Sequence, residues 1–485
     1  MAITPVAIEV PGYNDPNFSM FRNVGHPNIS DANNISRVHS HSGNLYTILF
    51  DPYGDEDVFP GPNFLHNVRS AHKSTNTGLT WTAVDWANRI VGFEDGATPV
   101  GDTTITIGDD LWLIHDYGEH IDLIAGTGTD FTGQFDRIHV VPFNMATDTF
   151  GALNTSGPSR TPAGTARNAG KGHLVCDACY RGSNEIIVYH NDTDASVSVN
   201  RLMYSIWNAG SLSWTSTNNV VFTSTTTNDM NYGSCRFDGT YVHFTAQAGY
   251  VLSTSSISKL HRTLNSANTL GTISDMLASY PGSLPALASA NIQNYDYQIA
   301  FNGEVIVVQL YYGHSRFGAP YQTWKVLAFN ATSGVQNPSW TVADIGSVAW
   351  ETPYDFDGES GTPILVESEG SLYCIAGGFM LGLGGFNPTT DQYWIFTQKY
   401  LGSGAWQAPV EFWDYRDSYG GSGSLSKHEL FKVSAIGNLT GDDELSLGVS
   451  ANMNGWPGDG VTSGGDTVYW FYDQSSVCCY CDFAF

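Results

Sequence analysis

The sequence is poor in basic residues and has no long apolar run. It contains 20 lysines and arginines against 47 aspartates and glutamates, which gives a formal net charge of −27. Because so few cations are available, a broad basic face that neutralises phosphates is not expected, and nucleic-acid binding is excluded as a function class. No apolar segment is long enough to span a membrane as a helix. We therefore expect an acidic protein that binds neither nucleic acid nor membrane.

The N-terminus and the cysteines exclude further classes. The first residues show neither a basic stretch nor a long apolar segment, so no secretory signal is predicted. The seven cysteines are odd in number and irregular in spacing, which does not fit a disulfide framework. Cys176 and Cys179 form a CxxC pair without the second pair of a structural zinc site, so buried thiols are favoured over a zinc or redox role. Cys478, Cys479 and Cys481 are interpreted as locally buried, with a bridge to another chain as the alternative.

Helical patterns are missing as well, whereas strand and turn patterns are frequent. Glycine occurs 52 times and aromatic residues form 13% of the chain. Short runs of β-branched and aromatic residues are bounded by Gly, Asn, Asp and Ser, which is typical of strands and tight turns. Pairs such as Asp238-Gly239 and Asn302-Gly303 favour the positive φ angles of two-residue hairpins. The chain is therefore predicted to be all-β.

A motif that ends in tryptophan recurs about every 45 to 60 residues, a period that indicates a β-propeller. Its sharpest copy ends at Trp81, and looser copies end at Trp214, Trp340 and Trp406. We predict a single propeller over residues 37–473, with seven four-stranded blades and six as the alternative. The N-terminal segment 1–36 contains an apolar strand, Thr4–Val10, that is expected to close the last blade. Residues 474–485 are assigned to a cysteine-rich C-terminal tail.

The sharpest copy has a recognisable spacing, Ser74-x-Asn76-x-Gly78-x-Thr80-Trp81. It resembles the Asp-box of the sialidase-like propellers, also called BNR repeats, with Asn76 in place of the usual aspartate. A short side-chain acceptor there can bond backbone N–H groups, Gly allows a strained backbone, and Trp packs between blades.

The resemblance implies a set of catalytic residues for a sialidase-like glycoside hydrolase. In that family three arginines hold a substrate carboxylate, a tyrosine is the nucleophile and an aspartate is the acid. The segment Phe21-Arg22 lies where the family carries its first arginine, although Asn23 and Val24 depart from the family's Ile-Pro. The residues that could match are, in this chain, Arg22, Arg236, Arg316, Asp51 or Asp55, and Tyr354.

Two acidic loops have oxygen ligands at spacings that suit Ca²⁺. The segment 437–448 resembles the calcium loops of integrin-type propellers, and residues 354–359 alternate acidic side chains ahead of a turn. Ordinary turn chemistry is the alternative for both. The candidate ligands are Asn438, Asp442 and Glu444 in the first loop and Asp355, Asp357 and Glu359 in the second. A third acidic and histidine-rich segment, 114–122, is interpreted as a polar hairpin tip, with a metal site as the alternative.

Loops rich in Tyr, Trp, Asn and Asp are suited to sugar binding, because aromatic faces stack on pyranose rings and polar groups bond hydroxyls. The alternative is that such aromatics fill the space between blades. The candidates for glycan binding are Trp350, Tyr354, Trp413, Tyr415, Tyr419 and Trp456.

These features favour a non-catalytic recognition or structural propeller that binds a surface glycan or receptor. A component of a phage or virus particle, such as a spike, fibre or tail-tip protein, would fit an acidic β-protein without a secretory signal. Its partners would then be other virion proteins or further copies of the chain. A sialidase-like hydrolase and a purely structural assembly protein are the alternatives, because a propeller scaffold alone does not decide its function.

Overall fold

The computed structural model describes the chain in segments that correspond mostly to strands and short turns. These are residues 4–5, 38–51, 65–75, 82–94, 102–117, 119–121, 137–154, 156–158, 175–194, 199–224, 233–248, 258–280, 295–312, 322–350, 364–368, 371–380, 392–408, 410–414, 428–437, 444–453 and 475–484. The described residues contain no α-helix, and the helical turns there are the 3-10 turns Trp86–Asn88 and Met276–Ser279. None of the helices among them is long and apolar enough to cross a membrane. The all-β prediction is confirmed.

Strands β1 to β15 cover the first half of the chain. They are β1 (Thr4–Pro5), β2 (Val38–His41), β3 (Asn44–Asp51), β4 (Leu65–Ser74), β5 (Thr82–Val84), β6 (Ile90–Glu94), β7 (Asp102–Ile107), β8 (Asp110–Tyr117), β9 (Glu119–Ile121), β10 (Arg137–Asn144), β11 (Thr149–Phe150), β12 (Val175–Gly182), β13 (Glu185–Asp194), β14 (Val199–Asn208) and β15 (Ser213–Ser224).

Strands β16 to β31 cover the second half. They are β16 (Gly233–Phe237), β17 (Val242–Ala248), β18 (Ser258–Leu264), β19 (Ser274–Asp275), β20 (Tyr295–Phe301), β21 (Glu304–Tyr312), β22 (Gln322–Thr332), β23 (Thr341–Trp350), β24 (Ile364–Ser368), β25 (Ser371–Met380), β26 (Gln392–Gly402), β27 (Ala405–Trp406), β28 (Val410–Asp414), β29 (His428–Gly437), β30 (Glu444–Met453) and β31 (Ser475–Ala484).

The strands form antiparallel sheets in which most strands pair with their neighbours in the chain, β9 on β6 and β1 on β31 being exceptions. In chain order they are sheet I (β2-β3-β4-β6-β9, with β5 on β4), sheet II (β7-β8-β10-β11), sheet III (β12 to β15), sheet IV (β16 to β19), sheet V (β20 to β23), sheet VI (β24-β25-β26-β27, with β28 on β26) and sheet VII (β29-β30-β31-β1). Most of them have four strands, as a propeller blade does.

The first strands of successive sheets contact one another in cyclic order. Contacts join β7 to β12, β12 to β16, β16 to β20, β20 to β24, β24 to β29 and β29 to β2. The ring closes where His39 of β2 meets Thr104 and Thr106 of β7, with Nε2 and Nδ1 at 2.7 and 3.0 Å from the two hydroxyls. This arrangement is a β-propeller. The number of blades in the whole chain stays a prediction.

Sheet VII contains both ends of the chain. β1 pairs antiparallel with β31, Thr4 opposite Ala484 and Pro5 opposite Phe483, so the strand from the N-terminus forms the outer edge of this sheet. The sequence division placed 474–485 outside the propeller as a tail. In the structure Ser475–Ala484 is β31 itself, paired with β30 along its length.

The cores lie between the sheets, and this explains the apolar runs of the central strands. Ile186, Ile187, Val188 and Tyr189 are all 0% exposed, because β13 is covered on both faces. A strand buried on both sides needs a continuous apolar run rather than an alternating one. Among the residues with described side chains, a buried cluster lies between each pair of neighbouring sheets from sheets I and II to sheets V and VI.

The recurring tryptophans pack as the motif predicts. Trp214 meets Trp207 edge-on at 5.4 Å between ring centroids, and Trp406 lies 4.8 Å from Tyr400. Trp340, which directly precedes β23, lies 4.8 Å from His261 in sheet IV. These aromatic side chains fill space beside or between sheets. Trp81 and the rest of the Asp-box-like motif after Thr75 lie outside the described residues.

The two ends of the ring differ in their connections. First and second strands are joined by tight turns at one end, among them 42–43, 108–109, 183–184 and 302–303. Turns of neighbouring sheets bond each other there, as when Arg181 Nη1 donates to Asn268 Oδ1 at 2.7 Å. We call this the turn end. The opposite strand ends, which we call the loop end, are joined by longer segments such as 351–363, 415–427 and 454–474.

Candidate functional site

A buried carboxylate links the first strands of sheets III and IV. Asp177 is the third residue of β12, close to the strand end from which the long connections start, and it is 3% exposed. The register of β12 shifts between Val175 and Asp177, which marks a β-bulge. A bulge re-aims the side chain at its position. Here it coincides with an aspartate that reaches into the next sheet.

The Asp177 carboxylate accepts hydrogen bonds from both sheets. Its Oδ1 accepts from the backbone N–H of Ala178 at 2.8 Å. Its Oδ2 accepts from Ser234 Oγ, from the backbone N–H of Cys235 and from Arg236 Nη1, each at 2.9 Å. Since β16 is at the edge of its sheet, its outward N–H groups need partners from outside the sheet. Asp177 supplies that partner for Cys235.

Arg236 is the predicted catalytic arginine whose side chain the structure describes. It forms an ion pair with Asp177 and also donates to the carbonyl oxygen of Cys235 at 2.9 Å. Its side chain is 24% exposed, whereas that of Asp177 is 4% exposed. A half-buried guanidinium bound to a buried carboxylate is held rigidly and keeps part of its surface in solvent. The Asp177–Arg236 ion pair therefore places a fixed polar group on the first strands of sheets III and IV.

Two thiols lie beside this ion pair. Cys179 and Cys235 belong to the buried cluster between sheets III and IV, and Cys176 packs against the same cluster. A side-chain hydrogen bond joins Cys235 to Cys179; burial first, then this contact, raises the pKa of the Cys235 thiol. Among the residues with described side chains, no group of three His, Cys, Asp or Glu residues is placed to hold a metal ion.

The other predicted catalytic, glycan-binding and metal-binding residues stay predictions. Four of them lie in strands whose backbone alone is described: Asp51 at the end of β3, Trp350 at the end of β23, Trp413 in β28 and Glu444 at the start of β30. The remainder lie outside the described residues: Arg22, Arg316, Asp55, Tyr354, Asp355, Asp357, Glu359, Tyr415, Tyr419, Asn438, Asp442 and Trp456.

The segment 114–122 differs from the predicted hairpin tip. His115 lies within β8, is 0% exposed, and stacks on His139 of β10 with 5.5 Å between ring centroids. Glu119–Ile121 forms β9, which pairs with β6 of sheet I. The tip interpretation was wrong for His115 because polar residues next to Ile114 do not reveal that the strand continues into the core.

A buried histidine network was not predicted from the sequence. His243 Nε2 lies 2.9 Å from Asp238 Oδ2, and His243 Nδ1 lies 3.0 Å from His261 Nε2. Burial opposes ionisation of Asp238, but the hydrogen bonds from His243 and from the backbone N–H groups of Tyr241 and Gly334 outweigh it and hold its pKa below the usual value. The Asp238-Gly239 turn was the available signal, but nothing local pointed to His261. Because the network is buried at the turn end, we interpret it as structural.

No protein-family model matches the sequence, and a search against curated proteins found no match. Solved structures with a similar fold include an α-L-arabinanase from Penicillium chrysogenum complexed with arabinobiose, with 9% identity, a TM-score of 0.40, and coverage of 100% of this chain and 97% of that one. An α-L-arabinofuranosidase from Fusarium graminearum bound to an iminosugar inhibitor has 11% identity, a TM-score of 0.42, and coverage of 95% and 97%.

The β-propeller domain of a protease from Pyrococcus furiosus is a third similar structure. It has 7% identity, a TM-score of 0.33, and coverage of 87% of this chain and 95% of that one. At such identities and scores the activities of these proteins do not transfer to this chain. The propeller assignment rests on the sheets and their cyclic contacts.

Proposed function

We propose that the protein is a carbohydrate-binding β-propeller whose ligand site lies at the loop end of the ring. The observation that carries this proposal is the difference between the two ends. At the turn end, tight turns join first and second strands and turns of neighbouring sheets bond one another, whereas the loop end carries the longest connections, 351–363, 415–427 and 454–474 among them. Binding residues concentrate on loops that a rigid scaffold positions.

The predicted sugar-binding aromatics lie in or next to the loop-end connections. Trp350 is the last residue of β23 and Trp413 lies in β28, one residue from its end, so both lead directly into long connections. Tyr354, Tyr415, Tyr419 and Trp456 belong to the connections 351–363, 415–427 and 454–474. Such aromatics, with the polar Asp177–Arg236 pair on the inner strands, are the groups that a glycan site requires.

The pairing of Arg236 supports binding over hydrolysis. In a sialidase-like site this guanidinium would face the substrate carboxylate, whereas here it is bound to Asp177 within the protein. We therefore propose a non-catalytic recognition module, and the sialidase-like family membership stays a proposal with it. Ca²⁺ in the loops of Asn438 or Asp355 and a role at the surface of a phage or virus particle are parts of the same proposal that rest on composition and loop spacing.

The test uses a panel of labelled sialylated and bacterial-surface glycans, with and without EDTA, and scores retention and product release together. Retention without release, lost in Trp413→Ala or Tyr415→Ala, supports the proposal. The matched control is Trp86→Ala, because Trp86 is 44% exposed in the 3-10 turn between β5 and β6, away from the connections concerned. Release of free sugar would contradict the proposal and show that the protein is a hydrolase. If the protein neither retains a glycan nor releases sugar, the proposal is wrong and an assembly role is favoured.

A further inference from the structure

Three of the four cysteines with described side chains meet at one junction. Cys179 is on β12 of sheet III and Cys235 is on β16 of sheet IV, and they are 4% and 0% exposed. Both belong to the same buried cluster, and a side-chain hydrogen bond joins their thiols. Both are free thiols, so two different sheets contribute a cysteine to one buried cluster without a covalent bond between them.

The strands around these thiols are fixed in register. Asp177, two residues before Cys179, accepts a hydrogen bond from the backbone N–H of Cys235 itself and from the flanking side chains of Ser234 and Arg236. Sliding of β16 along β12 would break all three bonds. These bonds therefore hold the backbones of Cys179 and Cys235 in a constant position relative to each other.

We propose that Cys179 and Cys235 are a redox pair that forms a disulfide between sheets III and IV when the protein meets an oxidising medium. The oxidant is a low-molecular-weight disulfide. One thiol attacks it as the thiolate and releases one small thiol, and the second thiolate then attacks the mixed disulfide and releases the other. Two protein protons and two electrons pass to the oxidant, which leaves as two thiols.

Burial decides the rate and the persistence of this bond. Because the thiolate is the reacting form, two thiols in an apolar cluster exchange slowly, through transient opening of the junction. Once formed, the bond is equally shielded from reductants. It closes a long loop of chain, so it restricts the unfolded state and raises the melting temperature. The inference is independent of the glycan-binding proposal.

The test is peptide mapping of the folded protein after long incubation with oxidised glutathione. Free thiols are blocked with iodoacetamide, and the unreduced protein is digested with trypsin. Cleavage after Arg236 yields the Cys235 peptide, and cleavage after Lys171 and Arg181 yields the peptide with Cys176 and Cys179. We expect these two peptides to be linked, and the melting temperature to rise by roughly 5 °C.

Three variants identify which cysteines form the disulfide. Cys176→Ser should keep the linked peptide, and Cys179→Ser should lose it. The matched control is Cys374→Ser, since Cys374 is equally buried but lies in the cluster between sheets V and VI; it should keep both the link and the rise in melting temperature.

One wild-type result overturns the proposal without any variant. If urea-unfolded protein forms the link under the same oxidant while the folded protein never does, the two thiols are not placed for a disulfide. Linkage through Cys176 in place of Cys179 would overturn it as well.

Discussion

The rings of His243 and His261 are tilted by 40° to each other inside sheet IV, with 3.0 Å between Nδ1 of the first and Nε2 of the second. When Nε2 of His243 donates a hydrogen bond to Asp238, Nδ1 of His243 is the acceptor of a hydrogen bond from the Nε2–H group of His261. His261 is then neutral and lies edge-on against Trp340, which directly precedes β23. Burial first, and the nearby His243 second, hold the pKa of His261 well below its ordinary value. The folded protein therefore disfavours the charged form of His261.

Stability should consequently fall in mild acid. His72 is a second buried histidine, and desolvation lowers its pKa to about 4. Unfolded histidine binds its proton near pH 6.5, so between about pH 6.5 and 4 the unfolded state binds more protons than the folded state. The contribution of these neutral histidines to the free energy of unfolding is fully present above about pH 6.5. Below that pH, each histidine lowers the free energy of unfolding by up to about 1.4 kcal/mol per pH unit.

Urea unfolding at pH 8, 7, 6 and 5 measures this slope. His72→Gln should make the fall in the free energy of unfolding with decreasing pH less steep, by the contribution of one histidine. This holds whatever the substitution does to stability at pH 8. A wild-type protein equally stable at pH 8 and pH 5 would contradict the prediction.

Asp177→Asn should loosen the junction of sheets III and IV. The change removes the charge that Arg236 faces while keeping most of the volume. Breaking a buried pair leaves an uncompensated charge, and because Arg236 keeps some solvent contact we expect a loss of about 2–3 kcal/mol. Ser234→Ala removes one hydrogen bond to the same carboxylate and should cost about 1 kcal/mol.

The free energies of unfolding in urea provide the comparison for this junction. The double variant Asp177→Asn with Arg236→Gln should recover part of the loss, because it removes the unpaired charge. Equal losses for Asp177→Asn and Ser234→Ala would show that the charge of Asp177 has no special part in holding the sheets.

Tyr400→Phe should weaken the junction of sheets V and VI. The Tyr400 hydroxyl donates to Glu304 and accepts from Asn330 Nδ2 at 2.9 Å and from the backbone N–H of Gly404 at 2.8 Å. Burial, and then the bond to Glu304, raise the pKa of Tyr400 to about 12, so the hydroxyl keeps its proton and donates. Its removal leaves the buried Asn330 amide and the partly buried Gly404 N–H without this acceptor and should cost about 2–3 kcal/mol.

Thermal unfolding followed by circular dichroism checks the tyrosine prediction. Tyr180→Phe is the matched control, because Tyr180 is 37% exposed. It should change stability by less than about 0.5 kcal/mol. Similar melting temperatures for the two variants would contradict a structural role for the Tyr400 hydroxyl.

The sequence predicts the propeller because its signals are local. Asp238-Gly239 and Asn302-Gly303 indicated tight hairpins, and Gly239, Asn302 and Gly303 have positive φ angles of 90°, 46° and 80°. The recurring tryptophans likewise predicted their own packing, since a large aromatic side chain at a fixed place in a repeat has few other positions to occupy.

The contacts between sheets were beyond such reasoning. Arg236 meets Asp177 across 59 residues of chain, and 47 acidic residues were available as partners. The choice depends on the bulge that re-aims Asp177, and a bulge leaves no simple mark in a single sequence. Cys179 was interpreted from its CxxC pair as a buried thiol, which it is, but nothing in that pair indicated that Cys235 of the next sheet lies in the same buried cluster.

Gly233 offers the sharpest test of how tightly the inner strands are packed. It is the first residue of β16, and a Cβ there would lie 2.1 Å from Cε1 of Tyr189 and 2.8 Å from the carbonyl oxygen of Thr245. Tyr189 is 0% exposed and its hydroxyl donates to that same carbonyl at 2.9 Å, so the ring has no room to withdraw. Gly233→Ala should therefore cost about 3 kcal/mol or more.

Gly239→Ala is the matched control for Gly233→Ala, because it separates crowding from backbone conformation. Gly239 has a φ of +90° and nothing within 4 Å of an added Cβ, so alanine there should cost only about 1 kcal/mol of backbone strain. Urea unfolding of the two variants decides between the causes. If they are equally stable, β16 can shift away from sheet III, and the fixed register on which the Asp177 and Cys235 contacts depend would be contradicted.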